Sequence, residues 1–99
     1  MRAAAHPELR GVELAAVLHA LSDPVRLEIV SRLADHEEHA CGCLCQSVSK
    51  STLSHHLKVL REAGLTQTRA DGTARLVSLR EVELESRFPG LLDAVLQRD

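Results

Sequence analysis

A chain of 99 residues with a formal net charge of −2 has room for one small domain. Hydrophobic residues make up 44% of it but include one Phe and no Tyr or Trp, so the core must be aliphatic. No apolar run is long enough for a membrane span, no secretory signal is visible, and three clustered cysteines do not suit a disulfide framework, so we expect a cytoplasmic protein.

Two helices are predicted first. Two overlapping apolar stripes give the first helix two apolar sides, one of which we expect to be a subunit interface. These stripes are Leu9, Val12, Ala16 and Leu14, Leu18, Leu21. Asp23 and Pro24 then predict a new helix, because Asp is a favoured N-cap and Pro suits the first helical position. Its core side is predicted from Val25, Ile29, Val30 and Leu33.

A segment rich in possible metal ligands follows. Residues 35–42 predict a loop, and a short helix is expected around residues 44–48. Thiolates at alternating positions point to one side only in an extended or irregular segment, which Gly42 makes easy. Soft sulfur ligands favour As(III), Cd, Pb, Cu(I) or Zn over hard cations. We therefore predict a soft-metal site at Cys41, Cys43, Cys45 and His39, with His36 nearby.

Two other interpretations of the cysteines stay open. One or two of them are small enough to fill the joint between the second and third helices without any chemistry. Alternatively, they form a redox switch that is oxidised to an intramolecular or intersubunit disulfide.

The next helix has the pattern of a DNA-reading element. Leu53, Leu57 and Leu60 recur at helical spacing and define its inner face, where His56 is expected to be packed and hydrogen-bonded. Gly64 predicts the left-handed residue that ends the helix. Hydroxyl, imidazole and ammonium groups suit base edges and phosphates. The predicted DNA contacts from this helix are Lys50, Ser51, Thr52, Ser54, His55 and Lys58.

A hairpin follows directly, over residues 65–69 and 74–80, with Asp71-Gly72 predicting a two-residue type I′ turn. Arg69 and Arg75 flank its tip and are predicted to reach phosphate or the minor groove. Residues 49–80 hold six Lys and Arg against two Asp and Glu, which gives +4 in an otherwise acidic chain. After a polar turn, a last apolar segment at residues 91–96 is expected to pack beside the first helix or its copy in a second subunit.

Two stretches, residues 21–30 and residues 51–65, resemble the second helix and the recognition helix of the ArsR/SmtB family of winged-helix repressors. The resemblance covers roughly residues 12–80. It implies a symmetric homodimer that binds double-stranded DNA at a pseudo-palindromic operator and is released by a ligand. Together with the predicted elements, this gives a mainly α fold with a small β-hairpin wing, in the order ααααββα. Residues 1–99 are expected to form one domain, with the first and last helices at the dimer interface.

Family members that sense metals carry a similar Cys-x-Cys pair near this helix, which Cys41 with Cys43, or Cys43 with Cys45, would supply. The loop here is shorter than in the best-known thiolate sensors. The predicted function is a transcriptional repressor that a thiophilic metal or metalloid releases from DNA. The alternatives are a redox-responsive or effector-independent repressor, or a protein-interaction module. An enzyme is not expected, since there is no Cys-x-x-Cys and no glycine-rich phosphate loop.

Overall fold

The computed structural model describes residues 6–45 and 47–97, which form helices packed with a small antiparallel sheet. The helices are α1 Leu14–Leu21, α2 Pro24–Leu33, α3 Lys50–Glu62, α4 Glu81–Arg87 and α5 Leu91–Leu96. The strands are β1 His39–Ala40, β2 Thr66–Asp71 and β3 Ala74–Leu79, and 3₁₀ turns lie at Leu9–Gly11 and Cys41–Cys43. The predicted class, mainly α with a small β wing, is confirmed.

Helix α2 begins where its sequence signal places it. The Asp23 carboxylate accepts hydrogen bonds from the backbone N–H groups of Val25 at 2.8 Å and Arg26 at 3.2 Å, and Pro24 is the first helical residue. These N–H groups, with that of Arg26 first, hold the pKa of the Asp23 carboxyl below its usual value. The cap fixes the direction in which α2 leaves α1.

The core is aliphatic, as predicted. Ile29, Val30 and Leu33 of α2 are completely buried, whereas Val25 is only partly buried. The other side chains with no more than 1% exposure come from α1, α3, the sheet, the last two helices and the segments that connect these elements. They are Val17, Ala20, Leu44, Leu60, Leu65, Thr66, Val77, Leu84 and Leu92.

Helix α3 has a clear beginning and end. The Ser49 hydroxyl accepts a hydrogen bond from the Thr52 N–H at 3.2 Å and caps the start. At the other end Gly64 has a φ of 84°, and the Leu65 N–H donates to the Leu60 carbonyl at 3.0 Å. This is the Schellman arrangement, so the predicted stop at Gly64 is confirmed. A side chain at Gly64 would also collide with Leu9.

The wing is a three-stranded antiparallel sheet in the order β1-β3-β2. Strand β2 pairs with β3 from Thr66 opposite Leu79 to Asp71 opposite Ala74, which leaves Gly72 and Thr73 as the turn. The predicted type I′ turn at Asp71-Gly72 is therefore wrong by one residue. Gly72 has a φ of 62° and Thr73 has no positive φ, the pattern of a type II′ turn, because a β-branched residue disfavours the second positive φ of type I′.

Two further local predictions differ from the structure. Leu44, Cys45, Ser47 and Val48 form no helix, and part of the predicted loop is instead β1, which pairs with β3. Ser and Val are weak helix formers, and pairing with β3 anchors the chain just before this segment.

The expected polar turn after Arg80 is helix α4. The ion pair between Arg80 and Glu83 at 2.8 Å and the burial of Leu84 support this helix. Within the two described stretches, no helix is long and apolar enough to cross a membrane.

Candidate nucleic-acid interface

Helix α3 separates a buried face from a polar one. Leu53, His56 and Leu60 are buried, while Leu57 is partly buried. All six side chains predicted to contact DNA are exposed on the rest of the helix. They are Lys50, Ser51, Thr52, Ser54, His55 and Lys58. The helix therefore presents hydroxyl, imidazole and ammonium groups together to a partner.

The buried face is held by a hydrogen-bonded pair of side chains. The Arg26 guanidinium lies 3.1 Å from Nδ1 of His56, and both residues are 8% exposed. Arg26 also donates to the Ala20 carbonyl at 2.7 Å and the His19 carbonyl at 3.4 Å. Since a guanidinium only donates, His56 accepts through Nδ1. The expected packed, hydrogen-bonded state of His56 is confirmed.

Sequence reasoning did not identify Arg26 as its partner. The available signal was position, because Arg26 stands three residues before Ile29 and seven before Leu33, on the side of α2 that faces the core. A charged residue at such a position is rarely buried without a partner. Arg26 thus joins the end of α1, the first turn of α2 and the middle of α3.

The two predicted wing arginines lie on opposite faces of the sheet. Arg69 pairs with Leu76 and Arg75 pairs with Ala70, and adjacent residues of a strand point to opposite sides. Arg75 shares a cavity with Ser54 and Leu57 of α3, so its face is the one beside the recognition helix. Arg69 points to the other side, where it donates to both carboxylate oxygens of Glu38 at 2.7 and 2.8 Å.

The Glu38 contact changes the electrostatics of the wing. The Arg69 hydrogen bonds hold the pKa of the Glu38 carboxyl below its usual value, and Glu38 raises the pKa of Arg69 in turn. Arg80 is also paired, with the Glu83 carboxylate and the Pro7 carbonyl, and is 8% exposed. The other four cations of residues 49–80 lie on α3 or on the face of the wing next to it. They are Lys50, Lys58, Arg61 and Arg75.

The cysteine segment lies between β1 and α3. Cys43 is exposed, Cys41 is partly buried, and Cys45 is 4% exposed with its thiol 3.4 Å from a Glu28 carboxylate oxygen. His39 contacts the Asp35 carboxylate at 2.9 Å. In the part of the chain that the structure describes, no three His, Cys, Asp or Glu side chains come together as a metal site. The four predicted ligands are neighbours in sequence but are not gathered around one point.

Burial raises the pKa of the Cys41 thiol, while the nearby Arg75 charge acts in the opposite direction. This thiol is therefore less ionised at neutral pH than a free cysteine, which reduces its nucleophilicity. A soft cation at Cys41 would have to displace the thiol proton, so its binding would be coupled to proton release.

Comparisons with known proteins agree with this architecture. A family model described as "Helix-turn-helix domain" matches residues 21–69. The chain is 42% identical over 84 residues to the uncharacterized HTH-type transcriptional regulator YceK of Bacillus subtilis, covering 82% of this chain and 84% of the relative. It is 40% identical over 74 residues to the arsenical resistance operon repressor of Staphylococcus xylosus, covering 74% and 71%.

A solved structure shows the same fold. The homodimeric winged helix-turn-helix DNA-binding domain of Mb0332 from Mycobacterium bovis superposes with a TM-score of 0.66 at 27% identity, covering 85% of this chain and 78% of that domain. The protein is a DNA-binding transcription regulator and not an enzyme. The exposed face of α3 and the wing beside it agree with what these relatives show: the chain belongs to the ArsR/SmtB family of winged helix-turn-helix transcriptional repressors.

Proposed function

We propose that this repressor reads a pseudo-palindromic operator as a homodimer, with α3 in the major groove and the tip of the wing against the neighbouring backbone. The observation that carries this proposal is the exposed polar face of α3, opposite a face fixed by Leu53, His56 and Leu60. Recognition helices of this class contact base edges mainly through their first turns, where Ser51, Thr52, Ser54 and His55 lie. Lys50, Lys58 and Arg75 then contact phosphates.

Fluorescence anisotropy with a labelled operator over a range of salt concentrations tests this reading. A phosphate contact from Lys58 predicts that Lys58→Gln reduces the slope of log K against log[salt] by about one. Base contacts predict that Thr52→Ala reduces affinity for the operator more than for random duplex. Binding that does not respond to salt would contradict this mode and favour a protein-interaction module.

The homodimer is supported by an apolar surface that one chain leaves uncovered. Leu14 and Leu18 lie four residues apart on α1 and are 44% and 46% exposed, although Val17 beside them is completely buried. Three side chains of α5 are partly buried, namely Leu91, Val95 and Leu96. The related Mb0332 domain is homodimeric.

We infer that α1 and α5 form the dimer interface. Leu18→Glu should therefore give monomers in sedimentation velocity. The control Val82→Glu, at an exposed α4 position, should leave the dimer intact.

For the effector, we propose a thiophilic metal or metalloid such as As(III), Cd, Pb, Cu(I) or Zn, held by Cys41, Cys43, Cys45 and His39. The donor chemistry fits a soft ion, since three free thiols fall within five residues. The relative from Staphylococcus xylosus is a repressor of arsenical resistance. Because the thiols are not gathered in the described structure, binding requires residues 41–45 to rearrange.

Side-chain contacts connect residues 41–45 to the recognition helix, α3. Cys45 contacts Glu28 of α2, and α2 is tied to α3 through Arg26 and His56. Moving Cys45 removes the Glu28 contact and disturbs the packing of Leu44, which is completely buried. We propose that this shift of α2 changes how the two copies of α3 fit the operator.

The test is an operator titration with and without As(III) or Cd. We expect the effector to lower operator affinity by about 5- to 150-fold, which corresponds to a coupling of about 1–3 kcal/mol. A triple Cys41→Ser, Cys43→Ser, Cys45→Ser variant should bind the operator but ignore the metal. Identical effects of metal on the native chain and on this variant would reject the sensor.

A redox switch is the competing regulation, and titrations with an oxidant and with a metal separate the two. Loss of operator binding in diamide that dithiothreitol reverses, without any response to metal, would favour disulfide formation.

A further inference from the structure

A small cavity separates α3 from the wing and has a strongly cationic lining. Its volume is about 190 Å³. The lining supplies two guanidinium groups, two hydroxyls and a thiol, and none of its side chains is a carboxylate. The residues are Cys41, Ser54, Leu57, Arg61, Thr68 and Arg75.

Arg61, one of the residues that line this cavity, carries a buried donor without an acceptor. Its Nε is shielded from solvent and has no hydrogen-bond partner within residues 6–45 and 47–97. No carboxylate of the described stretches lies within ion-pair distance of it, in contrast to Arg69 and Arg80. A guanidinium N–H that has lost water without gaining an acceptor is unfavourable, and a bound anion removes that cost.

The cavity is built by two elements that converge on one surface. Ser54, Leu57 and Arg61 stand at positions i, i+3 and i+7 of α3 and therefore share one side of the helix. Thr68 pairs with Val77, and Arg75 lies two residues before Val77, so Thr68 and Arg75 share the face of the sheet turned to that side. The cavity thus lies between the helix and the wing. In the proposed mode of DNA binding, a strand that leaves the major groove passes beside it.

We infer that this cavity binds one phosphate group of the DNA backbone, with Arg61 as its main ligand. Guanidinium groups pair with phosphate through parallel N–H donors, and the Thr68 hydroxyl adds a further donor. The assignment adds Arg61 and Thr68 to the DNA-contacting residues. It rests on the proposed reading of DNA by α3 and the wing.

Arg61→Gln tests the inference in the full-length protein. The slope of log K against log[salt] should fall by about one, and affinity near 0.1 M salt should fall by about tenfold for operator and random duplex alike, because a phosphate carries no sequence information. The matched control is Arg10→Gln, which removes the same charge from an exposed arginine paired with Glu8 and outside the cavity. This control should keep the native slope.

A second variant keeps the inference testable if Arg61→Gln does not fold. Thr68→Val keeps the shape and strand preference of the side chain and removes only the hydroxyl, so affinity should fall by a few fold at an unchanged salt slope. Native affinity and slope in both Arg61→Gln and Thr68→Val would overturn the inference. If Lys58→Gln still lowers the slope in that case, the proposed reading of DNA by α3 stands without the cavity.

The alternative occupant of the cavity is a free oxyanion, such as inorganic phosphate, instead of a DNA phosphate. Inorganic phosphate at constant ionic strength should raise the melting temperature of the native protein less than a short random duplex does. Stabilisation by inorganic phosphate that Arg61→Gln abolishes, together with native DNA affinity in that variant, would assign the cavity to a free oxyanion and overturn the assignment to DNA.

Discussion

At the scale of single residues, the role of an arginine in the wing depends on its partner and its face of the sheet. Arg69 and Arg75 are six residues apart and both flank the tip, so the sequence alone predicts both equally as DNA contacts. The structure separates them, because Glu38 holds Arg69 through two hydrogen bonds on the side away from α3. A bidentate carboxylate competes directly with a phosphate for the same guanidinium donors.

We therefore expect the two arginines to respond differently to neutralisation. Arg75→Gln should reduce operator affinity by about tenfold and the salt slope by about one, whereas Arg69→Gln should change affinity by less than about twofold. Anisotropy titrations of both variants at several salt concentrations measure this difference. Equal losses would show that DNA takes Arg69 away from Glu38, in which case Glu38→Gln should tighten binding.

At the scale of secondary-structure elements, the sequence predicted two helix ends from local signals but did not predict a strand that depends on a distant partner. The start of α2 at Asp23 and Pro24 and the end of α3 at Gly64 depend on hydrogen bonds within a few residues. Strand β1 exists only because His39 and Ala40 pair with Val77 and Leu76, which lie more than thirty residues away. Periodicity within a short window carries no information on such a pairing.

The same distinction applies to the candidate site. The polar face of α3 follows from the positions of its leucines, so all six predicted residues are found exposed. The partner of Arg69 could not be predicted, since Glu38 is on a different segment 31 residues away. The gathering of the cysteines also depends on the local path of the chain, and the 3₁₀ turn at Cys41–Cys43 does not bring the predicted ligands together.

The contact between α2 and α3 gives a prediction at this scale. Replacing His56 with Leu removes the acceptor and leaves a buried Arg26 donor unpaired, which should reduce the free energy of unfolding by about 2–3 kcal/mol. His56→Asn places an amide oxygen near the position of Nδ1 and should cost about 1 kcal/mol less than His56→Leu. Urea unfolding of the two variants measures the difference.

A readout on DNA separates positioning from stability. The contact between Arg26 and His56 fixes the position of α3 relative to α2. His56→Leu should therefore lower the ratio of operator affinity to random-duplex affinity, measured under conditions where the variant is fully folded. His56→Asn should restore most of that ratio. If the two variants are equally stable and equally selective, the hydrogen bond does not position the recognition helix.

At the scale of the whole molecule, the segment before α1 ties distant elements together. The backbone N–H of Thr68 in β2 donates to Nε2 of His6 at 3.0 Å, and Arg80 donates to the Pro7 carbonyl at 2.7 Å. Leu9 and Val12 are buried against Gly64 at the end of α3. Strand β2 is an edge of the sheet, so His6 satisfies a backbone donor that no strand reaches. This segment therefore couples the wing to α3 and α4.

The chemistry of His6 makes that tie depend on pH. Burial lowers the pKa of His6 from its ordinary value of 6.5, and the positive charges of Arg80 and Arg61 lower it further. Only the neutral imidazole can accept the Thr68 hydrogen bond, because both nitrogens of the protonated ring carry hydrogens. The folded protein thus binds the His6 proton less readily than the unfolded chain does.

Stability from this contact should be complete above about pH 6.5, where His6 is neutral in both states, and should be lost as the pH falls towards the lower pKa of the folded state. We expect the hydrogen-exchange protection of the Thr68 N–H to decrease over that interval. His6→Gln offers an amide oxygen near the position of Nε2 without a titrating group, so it should keep the protection constant. Loss of protection in His6→Gln with the same pH profile as the native chain would show that another group controls the wing.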